Sequence, residues 1–137
     1  MSDKAQVALV NMPFSFSKYP SIQLGTLSAL LKSKNIPVDC HHLNVRFAHK
    51  IGVPLYEMIC EKRALFGEWI FSYLLFRDNP KRAEYPRLFK PVFEQLAKES
   101  GHEASFFEGM ASRTAPQFLT WALTDIDWGQ YKIVGFT

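Results

Sequence analysis

Three groups of residues have the types and spacings that chemistry uses. Ser15, Ser17 and Ser21 lie between an apolar run, Val7 to Val10, and a leucine-patterned segment beginning near Ile22. Hydroxyls and free backbone amides so placed suit the edge of a polar ligand, because open α/β sheets bind beyond the carboxyl ends of their strands and against helix N-termini. Asp39, Cys40 and His41 set a carboxylate and an imidazole two residues apart, with His42 next in line. In a strand, alternation sends Asp39 and His41 to one face and His42 to the other, so the group does not converge on a metal; these histidines are expected to be buried or hydrogen-bonded at the surface. His49 and His102 have no second ligand at metal-binding spacing, and no metal is expected on the histidines or on Cys40 and Cys60. Glu57, Glu61 and Glu68 form the third group; their spacing predicts a solvated helical face rather than an acid/base pair.

The elements that position these residues follow from periodicity. Val7, Ala8, Leu9 and Val10 predict a strand buried on both faces of a parallel sheet, stopped by Asn11, Met12 and Pro13. Ser21 is the expected N-cap of a helix in which Leu24, Leu27, Leu30 and Leu31 pack on the sheet while Lys32 and Lys34 stay wet. Gly25, one turn into that helix, weakens it by about 1 kcal/mol relative to alanine. A close approach, by a ligand or by the neighbouring strand, would account for it. Val38, Cys40, His42 and Leu43 predict a second strand ended by Asn44, and Ile133 to Thr137 a last buried strand adjacent or nearly adjacent to the first. Between them lie about eighty residues, far more than one crossover helix needs. This is read as a large helical insertion, about 50–125, with Gly67 dividing one helical stretch, Pro86 and Pro91 bracketing a short piece, and Thr114 capping the final helix. The expected ligand cavity is walled by Met12 to Phe16, Ser21 to Gly25 and Asn44.

Composition narrows the class. The 137 residues are 47% apolar, with 12 Phe, 5 Tyr and 3 Trp, enough to bury a core in one domain, 1–137. A net charge of +3 names no partner. Lys81, Arg82, Arg87 and Lys90 with Tyr85 and Phe89 are read as a solvated helix entrance rather than a nucleic-acid patch, since Glu84 interrupts them. Trp69 to Phe76 is the longest apolar run and is too short for the roughly 20 residues of a membrane span. Two cysteines without a secretory signal fit the reducing cytoplasm, with both thiols buried or idle. The loop Met12 to Ser21 has neither Gly-x-Gly-x-x-Gly nor Gly-Lys-Ser/Thr, which disfavours NAD and ATP.

Met12-Pro13-Phe14, Pro20-Ser21-Ile22-Gln23-Leu24-Gly25, Leu43-Asn44-Val45-x-Phe47-Ala48, Gly52 with Tyr56, Gly67-Glu68-Trp69 with Phe71-Ser72, and Val134-Gly135-Phe136-Thr137 occur in this order. The series resembles the N-terminal region of radical S-adenosylmethionine proteins that mature ribosomally synthesised peptides, many of them cobalamin-dependent C-methyltransferases. The resemblance implies an α/β, Rossmann-like parallel sheet that binds cobalamin, followed by a catalytic domain whose cysteine triad holds an iron-sulfur cluster and S-adenosylmethionine. The chain has no such triad, so radical chemistry is expected only in a downstream domain, and Thr137 does not read as a natural end. Asp39-x-His41 matches half of the Asp-x-His-x-x-Gly motif that gives some cobalamin proteins their lower ligand, but Asn44 stands where that motif has glycine. Members that hold cobalamin without a histidine fit this departure. The implied cofactor contacts are Pro13, Phe14, Ser21, Gln23, Gly25, Asn44 and Thr137. The implied partners are a precursor peptide and the chain's own catalytic domain, with no nucleic acid and no membrane. The contrasting expectation is a scaffold or peptide-binding domain, gripping through the helices around Trp69 and Phe71 without cobalamin.

Overall fold

A computed structural model describes residues 5–62 and 64–137. The chain is α/β, with a three-stranded open parallel sheet in the order β2-β1-β3. Strand β1 (Val7–Asn11) is buried along its whole length, as its unbroken apolar run requires of a central strand. It pairs in parallel with β2 (Val38–His42), Val7 opposite Val38, and with β3 (Ile133–Phe136), Val7 opposite Ile133. Adjacency of the first and last strands is as expected, but β3 is not a buried strand. It lies at the sheet edge with Ile133 and Phe136 62% and 65% exposed.

Helix α1 (Ile22–Ser33) covers one face, where Leu24 packs with Val7 and Leu9, supported by Leu31 and Ile36. The packing stripe is Leu24, Ser28 and Leu31; Leu27 and Leu30 face outward, against expectation, because the helix meets the narrow sheet along a single row. On the other face Val10 packs with Leu43, Phe47, Tyr56, Phe118 and Ala122. These come from α2 (Leu43–Ile51), α3 (Val53–Glu61) and α8 (Ala115–Asp125). Leu43 therefore belongs to α2 rather than to the second strand, and Asn44 is a buried helical residue, not a strand end.

The segment between β2 and β3 continues through α4 (Phe66–Phe76), α5 (Pro80–Leu88), α6 (Lys90–Ser100) and α7 (Ala104–Gly109) to a π-helical turn, Met110–Thr114. These elements close around Phe66, Trp69, Ile70, Phe93, Leu96 and Phe107, a core of their own. Most of the chain's aromatics fill these cores. The helical stretch around Gly67 is divided into α3 and α4 as expected, but ahead of Gly67, which is the second residue of α4; Pro86 sits within α5, and Thr114 makes no capping hydrogen bond because the π turn runs directly into α8. Among the described residues no helix is long and apolar enough to cross a membrane.

Candidate cofactor cleft at the carboxyl edge of the sheet

Strand β1 delivers Asn11 to the carboxyl edge, where a 220 Å³ cleft opens between the following loop, the start of α1 and the residue after β3. Its walls are Asn11, Ser15, Phe16, Tyr19, Pro20, Ser21, Gln23 and Thr137. Asn11 is buried, and its Oδ1 accepts a hydrogen bond from Ser15 Oγ at 2.7 Å. Ser21 caps α1 as expected, its Oγ accepting from the Leu24 amide at 3.2 Å, which orients the first turn of the helix toward the cleft. Thr137 is fixed from both sides: its amide donates to the Val10 carbonyl at 2.9 Å and its carbonyl accepts from the Met12 amide at 3.3 Å. No side-chain carboxylate, imidazole, amine or thiol lines the cleft. Such a wall recognises shape and hydrogen bonds, and it holds no nucleophile-and-base pair for catalysis.

The loop is held from beneath by α2 and α3. Tyr56 Oη donates to the Ser15 carbonyl at 2.6 Å, and Glu57 Oε1 accepts from the Ser17 amide at 2.9 Å and from Ser17 Oγ at 2.6 Å. Asn44 Nδ2 donates to the Phe16 carbonyl at 3.4 Å, and Cys60 Sγ to the Phe14 carbonyl at 3.4 Å. Burial, then the neighbouring Cys60, raises the Tyr56 pKa, so its hydroxyl stays a donor; burial and the Glu57 charge push the Cys60 thiol up to about 12. Phe14 turns inward, stacked on Tyr56 with ring centroids 5.2 Å apart and edge-on to Phe47 and Phe71. Glu57 is thus a buried clamp, not part of a solvated face, while Glu61 and Glu68 are exposed as expected.

Of the seven residues expected to contact a cofactor, the fold brings Ser21, Gln23 and Thr137 into the cleft wall. Phe14 and Asn44 belong to the support beneath the loop, and neither they nor Pro13 line the cleft. Gly25 is exposed on α1, and a Cβ there would meet nothing within 4 Å. Packing against the sheet is therefore not what the glycine serves. Asn11 and Tyr19 were not among the expected contacts. An amide side chain as the last residue of a buried strand was the available signal for Asn11.

Asp39 and His41 share the face turned toward α2 and α8, joined through Tyr131: its hydroxyl donates to Asp39 Oδ2 at 2.8 Å and lies 3.0 Å from His41 Nε2. Burial lowers the His41 pKa more than Asp39 raises it, and the ring packs 5.3 Å from that of Trp128. His41 is tied into the sheet and does not line the cleft. Cys40 is exposed and Cys60 half-buried, both as free thiols. Among the described residues no three His, Cys, Asp or Glu side chains are placed to hold a metal. A larger open groove of 610 Å³ runs between α2 and α8, where the Arg46 guanidinium lies 5.0 Å over the Trp121 ring.

No family model, no curated protein and no solved structure matches the chain.

Proposed function

We propose that this chain is a Rossmann-like, cobalamin-binding domain, the N-terminal part of a radical S-adenosylmethionine protein that C-methylates or otherwise matures a ribosomally synthesised peptide in the cytoplasm. In this reading the helices between β2 and β3 are a large insertion into the second crossover, and the cysteine triad and the site that receives the precursor peptide's reacting carbon belong to a downstream domain. The observation that carries it is the uncharged, hydrogen-bonding cleft beyond the carboxyl end of β1, at the point where strand order reverses from β2 to β3.

The residues fit part of such a cofactor. Ser15, Ser21, Gln23 and Asn11 offer the neutral donors and acceptors that amide-bearing corrin edges require. Pockets that enclose a whole drug-sized ligand run to about 300–1,000 Å³, so 220 Å³ takes an edge or tail and leaves the macrocycle outside. With no imidazole in the wall, this chain supplies no lower ligand there. When bound, cobalamin supplies the methyl-carrying centre. The chain's own work is then to bind, to orient and to keep water from the covered face. Trp69 is buried and Phe71 half-buried in the core clusters, so a peptide grip through those two rings has little surface to act with.

Hydroxocobalamin mixed with the purified chain should co-elute on gel filtration with its visible absorbance. Gln23→Ala, which removes an amide from the cleft wall, should keep the circular dichroism spectrum and weaken retention of the absorbance. A folded wild-type chain that elutes without corrin would replace this reading with the scaffold one.

A further inference from the structure

Arg82 was expected to be solvated; instead its side chain is only 10% exposed. The guanidinium lies 4.8 Å from the centre of the Trp69 ring and 4.9 Å from that of Tyr73. Nη1 is 3.8 Å from Glu108 Oε2, an ion-pair contact too long for a hydrogen bond. Nε and Nη2 are buried and have no hydrogen-bond partner among the described residues. These two nitrogens share one edge of the planar group, and that edge is the fork a carboxylate fills with two parallel hydrogen bonds. A buried cation with a whole edge unsatisfied is costly and calls for an occupant.

Beside it lies a 370 Å³ cavity walled mainly by apolar surface, including Leu65, Trp69, Phe76 and Tyr85, with Ser72 and Arg82. Burial raises the Tyr85 pKa to about 12, and its hydroxyl is committed to the Ala64 carbonyl, so Tyr85 brings no charge to this wall. Glu68 lines the same hollow but is exposed and makes no ion pair with Arg82.

We infer that this cavity binds a carboxylate carried on an apolar or aromatic group, with the Nε/Nη2 edge of Arg82 as its recognition element. Both nitrogens are shut off from water, so the carboxylate reaches them as α5 shifts; no residue of α5 is fully buried, and the shift must keep or remake the stacking of Tyr85 on Trp69. The site stands apart from the cleft at the sheet edge and does not depend on the cofactor reading.

The test follows the Arg82 Nε–H and Trp69 indole resonances in the full chain during titration with phenylacetate. Saturable shifts of both are expected, with phenylacetamide binding at least tenfold more weakly and Arg82→Lys, which keeps the charge but loses the fork, weakening phenylacetate at least tenfold. N-acetylphenylalanine and a capped Phe-Glu-Phe peptide distinguish a terminal carboxylate from a side-chain one, and tighter binding by either assigns the source. Equal binding of phenylacetate and phenylacetamide overturns the proposal. So does a wild-type chain in which none of the three carboxylates shifts Arg82, as when Glu68 or Glu108 fills the edge in solution. The amide comparison needs no variant and stands even if Arg82→Lys fails to fold.

Discussion

Gly67→Ala puts the loop's anchorage to a direct test. A Cβ at this position would lie 2.2 Å from Cδ2, 2.5 Å from Cγ and 2.8 Å from Cβ of Phe14. Carbon atoms prefer separations of about 3.5–4.0 Å, so the ring must retreat by more than about 1 Å. It is enclosed on its other sides by Tyr56, Phe47 and Phe71, with centroids at 5.2, 5.5 and 5.9 Å. Overpacking of this kind costs about 1–3 kcal/mol, and each loosened aromatic pair adds roughly 0.5–1.5 kcal/mol. Against this stands the helix preference of alanine over glycine, at most about 1 kcal/mol and less in the first turn of α4. The net expectation is a loss of about 2 kcal/mol, which lowers the melting temperature by about 8 °C for a chain of this size. Gly25→Ala is the control of opposite sign: its Cβ enters open space, and the gain should be up to about 1 kcal/mol. Urea unfolding followed by circular dichroism measures both. A Phe14→Ala background, which removes Cγ and Cδ2 and leaves only the 2.8 Å Cβ contact, should recover most of the Gly67→Ala loss. Gly67→Ala melting at or above the wild type, or an undiminished cost in that background, would refute the packing argument.

Two further outcomes follow from the titrating groups. Because burial holds the His41 pKa below its ordinary value of about 6.5, the folded chain binds fewer protons near pH 6 than the unfolded one. The associated stability is whole above about 6.5 and is lost as pH falls through that value toward the folded pKa. Denaturant midpoints from pH 7.5 to 5.5 should therefore drop more in the wild type than in His41→Gln, and equal drops would argue against this. Iodoacetamide at pH 8 should alkylate exposed Cys40 in the folded chain and leave Cys60, with its thiol pushed up to about 12, until denaturant is added; peptide mass mapping showing both modified together would contradict the clamp.

What could be read in the sequence was what short-range rules control. Strand β1 and the Ser21 cap each depend on residues within a few positions, and both are found as expected. The outward turn of Leu27 and Leu30 was not legible, because helical spacing defines two overlapping leucine stripes and only the width of the sheet chooses between them. Glu57 resembles its exposed neighbours Glu61 and Glu68 in sequence; what distinguishes it is Ser17, a partner forty residues away. Arg82 was hidden in the same way, since its aromatic neighbours come from α4. At the cleft, the loop and the helix start were legible as a place, whereas the inward turn of Phe14 depends on the absence of a side chain at Gly67.

The hydroxyl of Tyr131 spans the sheet, precedes β3 in the chain, and grips β2 on the far side of β1. That bridge has a consequence for the order of assembly. Pairing β1 with β2 closes a loop of roughly 30 residues and pairing β1 with β3 one of roughly 125, a difference of about 1 kcal/mol in closure entropy. During synthesis β1, α1 and β2 leave the ribosome first and can associate while the third strand is still unmade, so the nascent chain holds an open edge and a cleft without its Thr137 wall. Arrival of Tyr131 then ties β2 to the segment that leads into β3, and the cleft gains its Thr137 wall only after that bridge can form.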